Sequence, residues 1–257
     1  MRALAIQTSI ALSIGFFVAS GCDRAPPSPA RLTVKLPAPP PLSPEQSERR
    51  EKTRQVIQSD RIPFNKHLPG VEPENEAKIR TPREIAQRLI GLTVVAAIAQ
   101  GAPKQRIKDR LLALDVRTVL TPDELAFFDS ESPSDRERAK FSWSIEAAAT
   151  LLWALGIGPN EQGRPIAECD VQAVYDHVVN AGLDGLVANS KPRSKAEILD
   201  ALDLIYCYHW AVVDEVQINN RPVPGGLNPG VVVERHRALN WLVNYMDADW
   251  DDVSTDT

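Results

Sequence analysis

Residues 194–216 read SKAEILDALDLIYCYHWAVVDEV, and this stretch decides the fold. Ser194 places a hydroxyl three positions before Glu197, the reciprocal arrangement that satisfies two of the unbonded N–H groups at a helix start. From there Ile198, Leu202, Ile205, Val212, Val213 and Val216 recur at helical intervals, and about 100° per residue gathers them on one face. A half-buried strand would alternate with period two, so the spacing predicts a helix over 195–217. His209 falls in the middle of the apolar face and is expected to be a buried, hydrogen-bonded core histidine. Asp203, Tyr206, Trp210 and Asp214 fall together on a different stripe.

The same start signal recurs at Ser43-Pro44-Glu45-Gln46, Thr81-Pro82-Arg83-Glu84 and Thr121-Pro122-Asp123-Glu124. In these three a proline takes the first helical position, where its missing N–H costs nothing. Apolar spacing extends the prediction to helices over about 44–58, 82–100, 103–114, 122–129, 134–155, 170–181, 195–217 and 229–245. Gly101-Ala102-Pro103, Gly156-Ile157-Gly158-Pro159, Gly182 and Pro222-Val223-Pro224-Gly225-Gly226 punctuate them. Val231-Val232-Val233 is β-branched but leads directly into helically spaced residues. The expectation is an all-α, single globular domain of seven to eight helices over residues 43–257, with no repeat period of a solenoid.

Upstream the chain changes character. Arg2 precedes an apolar run from Ala3 to Ala19, followed by Ala19-Ser20-Gly21-Cys22. A positive residue, a short apolar core and small residues before a cleavage point make a signal peptide over 1–21. The cysteine directly after the small residues resembles a bacterial lipobox, which implies a lipid anchor on Cys22. Eight prolines between Pro26 and Pro44 favour extended polyproline II, so 22–42 is expected to be a semi-rigid tether holding the folded body off a membrane. The chain is thereby expected on the bacterial cell envelope, facing the periplasm.

The 257 residues carry 29 basic against 34 acidic side chains, a formal charge of −5. That balance lacks the basic excess of a nucleic-acid binder, so no nucleic-acid partner is expected. Hydrophobic residues at 43% and charged residues at 25% fit an ordinary globular protein. No Walker loop, HExxH, GxSxG, GxGxxG or CxxC occurs, so no motif names a reaction or a cofactor. Cys169 and Cys207 meet an oxidising compartment in an exported protein, and spacing alone leaves their pairing open.

His209 to Asp214, Gly226 to His236, Ala238 to Leu242 and Trp250 to Thr257, together with Leu151 to Gly156 and Glu197 to Ala201, resemble the bacterial family known as DUF4272, a domain of unknown function. The resemblance runs from about Ser43 to the C-terminus. It implies a helical fold and supplies no reaction.

The polar residues of the last third are the remaining candidates for a site: Asp214, Glu234, Arg235, His236, Asp251 and Asp252. Helical phase puts Arg235 among Val231, Ala238, Leu239 and Leu242, where a guanidinium needs a carboxylate, expected from Asp203, Asp214 or the tail near Asp251 and Asp252. Losing Arg235 would then cost about 3–5 kcal/mol. His236 and Asn240 share the more polar side, expected to be a solvated surface where replacing His236 costs little. Asp247, Asp249 and Asp251 have the spacing that opens a calcium loop. Asp252 stands where that loop needs glycine, however, and the twelfth ligand would fall beyond Thr257, so no calcium site is expected. Two function classes follow. One is a tethered binding module without catalysis, docking a protein partner. The other is a hydrolase or metal-assisted enzyme using the C-terminal acids and His236. Convergence of those side chains in one water-accessible cleft would favour the enzyme, and pairing or capping would favour the module.

Overall fold

Five hydroxyl residues start five helices in the same way. In the computed structural model, which describes residues 41–111, 114–159 and 162–257, Ser43, Thr81, Thr121 and Ser194 each form a reciprocal capping box. Ser134 with Glu137 forms a fifth that the sequence reading passed over. The signal peptide, Cys22 and nearly all of the tether lie outside the described residues. Among the described residues there is no strand, and no helix is long and apolar enough to cross a membrane.

The helices are α1 (Pro44–Ser59), α2 (Pro82–Ala99), α3 (Lys104–Arg110), α4 (Pro122–Asp129), α5 (Asp135–Ser142), α6 (Ser144–Ala154), α7 (Val171–Asn189), α8 (Lys195–Val212) and α9 (Pro229–Leu242). The predicted 134–155 helix is two, because the ladder breaks at Trp143. The Trp143 ring lies so close to Gly230 of α9 that a β-carbon there would collide with it. The helix predicted to stop at 181 does break at Gly182, whose φ of 60° and ψ of −176° are non-helical, but it resumes and reaches Asn189. The predicted helix over 195–217 ends at Val212 and widens into a π turn over Val213–Ile218.

Helix α2 is the centre. It is apolar all round, with nearly every side chain from Ile85 to Ala96 buried, as a helix surrounded on all sides must be. It packs against α4, α5, α6 and α7, while α9 lies against both α6 and α8, and α1 covers α8. Two buried ion pairs tie these helices together. Arg88 of α2 meets Glu124 of α4 in a buried ion pair. Arg50 of α1 grips Asp203 of α8, with Nη2 to Oδ1 at 2.7 Å, and its other N–H groups donate to the carbonyls of Leu68 and Pro69. Such pairs are costly to break, because one buried charge is left behind.

Two devices lock the ends of helices together. Gly156, with φ of +68°, ends α6 against the strap leading to α8: a β-carbon would strike the Lys191 carbonyl, and Lys191 N–H donates to Leu155 O at 2.8 Å. Arg80, just before α2, donates to the carbonyls of Trp241 and Ala248, each at 2.9 Å, while its backbone N–H donates to Leu242 O. Its guanidinium lies 4.4 Å from the Trp241 ring centroid. A cation over the last carbonyls of α9 also opposes the negative end of its dipole.

Candidate functional site

The six candidate residues do not converge. Asp214 sits in the π turn and accepts from Asn219 Nδ2 at 3.0 Å. Asp251 is a second cap on α4: its Oδ1 accepts from the Thr121 hydroxyl at 2.8 Å and its Oδ2 from the Asp123 N–H at 3.2 Å. Asp252 is exposed beside it. Asp247 accepts from Asn244, so the alternate acids of the tail turn to different partners. Among the described residues no three His, Cys, Asp or Glu side chains gather as metal ligands. Trp250 is buried edge-on against Trp241, between the guanidiniums of Arg88 and Arg237, which fixes the tail on α2 and α9.

His236 and Asn240 correct the surface reading. Both are buried, because α9 packs against α6 and α8 and the tail reaches Asn240 through the Ser254 carbonyl. His236 Nδ1 lies 2.9 Å from Nδ1 of His209, and its Nε2 lies 3.2 Å from Asn240 Nδ2. His209 is the buried core histidine that the spacing predicts. Burial pushes both imidazoles down, to about 4 for His209 and about 3 for His236, whose value His209 also depresses. Both are neutral over ordinary pH.

Arg235 corrects the pairing expectation. It is half-buried rather than enclosed in the core, and none of the expected carboxylates reaches it: Asp203 belongs to Arg50, Asp214 to Asn219 and Asp251 to α4. Arg235 Nη1 instead donates to the Gly163 carbonyl at 2.6 Å. Glu146 of α6 attracts it electrostatically from beyond ion-pair distance. Glu146 Oε1 is occupied by the Cys169 N–H at 2.6 Å, and its Oε2 is buried without a hydrogen-bond partner among the described residues. The neighbouring Glu234 is also inward, its acid raised by burial and its Oε2 without a hydrogen-bond partner among the described residues.

Around Arg235 a recess of about 280 Å³ opens between the end of α6, the start of α7 and the residues Gly158, Pro159, Gln162 and Gly163. Ala149, Leu152, Trp153 and Val174 make an apolar wall, and Asp170 and His177 stand exposed at its edge. Asp170 is the N-cap of α7, accepting from the Ala173 N–H at 3.0 Å. Cys169 lines the recess, but burial and Glu146 push its thiol up to about 12. It is a protonated, weakly polar wall element and no nucleophile at neutral pH. Cys169 and Cys207 are both free thiols. A concave, mainly apolar recess with one fixed cation is the form that small-ligand sites take.

Reading the sequence for titratable clusters near the C-terminus passed over Glu146 and Cys169, which stand behind Arg235. The available signal was Glu146 itself, the one acid on the otherwise apolar helix Ser144–Ala154.

No curated protein and no solved structure matches the chain. Residues 49–253 match the family described as a domain of unknown function, DUF4272, which covers all of the helices after the first turn of α1. The chain belongs to the DUF4272 family.

Proposed function

We propose that this protein is an envelope lipoprotein, anchored through Cys22, whose helical body serves as a tethered binding module and docks a protein partner at the membrane. The observation that carries the binding half of the reading is the occupation of the C-terminal acids. Asp251 caps a helix, Asp214 closes a turn, and His236 is committed to a buried hydrogen-bond chain. Groups held in such roles are unready to exchange protons with a substrate. The anchor half rests on the small residues before Cys22 and the proline-rich segment after it.

A second reading, an enzyme using buried carboxylates, is favoured by the unpartnered oxygens of Glu146 and Glu234. Neither residue lines the recess, however, and this ranks it second.

One preparation tests the leading reading. The protein is crosslinked in its own membranes and captured, and mass spectrometry reads both its N-terminus and its partners. The expected result is a lipid-modified Cys22 terminus with a recurrent protein partner, both lost in Cys22→Ser. An unlipidated chain cut elsewhere would end the tether, and a lipidated chain crosslinked to no protein would end the partner.

A further inference from the structure

We infer that the recess around Arg235 is a binding site for a small monocarboxylate with an apolar body, with the guanidinium holding the carboxylate and the α6 and α7 walls holding the tail. The inference does not depend on the membrane tether or on the protein partner.

The argument begins with the charge. An arginine is protonated at every accessible pH, and this one turns into a recess whose other lining is chiefly apolar. Among the described residues its only hydrogen-bond acceptor is the Gly163 carbonyl, so most of its five N–H donors are unused. No carboxylate of the described residues stands within ion-pair distance of it. Glu146 offsets part of the charge from behind, but its nearer bond goes to the Cys169 N–H. A planar guanidinium with free donors matches the two oxygens of a carboxylate in a bidentate pair.

The rest of the lining selects within the anions. A phosphate dianion would need a second cation, and among the described residues the recess lining provides no other lysine or arginine. Asp170 at the edge would repel the extra charge. The apolar wall of Leu152, Trp153, Ala149 and Val174 rewards a hydrocarbon body instead. A volume of about 280 Å³ lies at the small end for ligand sites, so the ligand is short. Because the Cys169 thiol stays protonated, the ligand is held without a covalent bond.

The test is calorimetric titration of the full-chain protein, in a non-ionic detergent, with hexanoate, acetate, hexylamine, hexanol and inorganic phosphate. The expected result is saturable binding of hexanoate, with each of the other four weaker by roughly tenfold or more, the worth of a charge-assisted hydrogen bond or of several buried methylenes. Arg235→Gln should weaken hexanoate by a similar factor. Ala173→Trp changes an exposed residue on the recess wall, leaves Arg235 in place, and should abolish binding by filling the space. It decides the matter if Arg235→Gln fails to fold. No saturable hexanoate binding, equal binding of hexanol, tighter binding of phosphate, or full affinity in Ala173→Trp would each overturn the assignment.

Discussion

His209 and His236 face each other nitrogen to nitrogen, Nδ1 to Nδ1 at 2.9 Å, across the packing of α8 on α9. The surrounding bonds fix which one donates. Asn240 Nδ2 must donate to the Ser254 carbonyl at 2.8 Å, and its second hydrogen points to His236 Nε2. His236 Nε2 is therefore the acceptor, its proton sits on Nδ1, and His209 accepts at Nδ1 and carries its own proton on Nε2. A second proton on His236 would set two donors face to face at Asn240 and loosen the tail at Ser254.

That arrangement makes stability sensitive to mild acid. Unfolded histidines take up protons near pH 6.5, whereas these two do so at about 4 and about 3. The unfolded chain binds more protons in between. The contribution is complete above pH 6.5 and falls as pH drops towards 4, by up to about 1.4 kcal/mol per unit for each histidine. Urea unfolding at stepped pH should show this fall already between pH 6.5 and 5, above the range where exposed carboxylates protonate. A variant lacking both imidazoles should lose this fall, and a parent whose profile there matches that variant would contradict the assignment.

Asp203→Ala strands the Arg50 guanidinium between α1 and α8, and should destabilise by about 3–5 kcal/mol. Replacing both partners with apolar residues of similar size should recover much of the loss, because the cost lies in the unpaired charge. Denaturant midpoints of the single and double variants separate the two effects.

Asp251→Ala removes the second cap on α4 and should cost about 1 kcal/mol. Trp250→Ala removes the buried ring that fixes the tail, and should cost about 3–5 kcal/mol. Thermal unfolding compares them, and the reverse order would mean that the tail is held by its charges.

Burial holds the thiols of both Cys169 and Cys207 at about 12. Alkylation by iodoacetamide at pH 8 should therefore be far slower in the folded protein than in urea, read by mass spectrometry at each cysteine. Rapid native labelling of Cys169 would show an activated thiol in the recess.

With no ion partner to strand, Arg235→Ala should cost about 1.5–3 kcal/mol, the worth of a charged hydrogen bond. That is less than the value expected from a buried pair, and thermal unfolding beside Asp203→Ala checks the ranking.

The helix starts were readable because a capping box is local: Ser194 and Glu197 lie three residues apart and need nothing else. The helical phase that brings Arg235 only part of the way in, to half-burial, was readable for the same reason. Its partner was not, since the Gly163 carbonyl lies 72 positions away and a backbone acceptor carries no residue type. His236 was misplaced because α8 and the tail cover the side of α9 that carries it, and polarity on that side of the helix wheel marks internal bonding. The break at Trp143 left no mark in the apolar spacing, and the contact its ring makes with Gly230 lies on another helix.

The last residues of the chain close three separate parts of the body: Asp251 finishes α4, Trp250 sits between Arg88 and Arg237, and the Ser254 carbonyl completes the chain from Asn240 to His209. One short segment therefore acts as a fastener for several helices at once. A single proteolytic nick just before Trp250 would undo the cap on α4, the ring beside α9 and the acceptor of Asn240 together, so damage there should be felt at distant points of the body rather than locally.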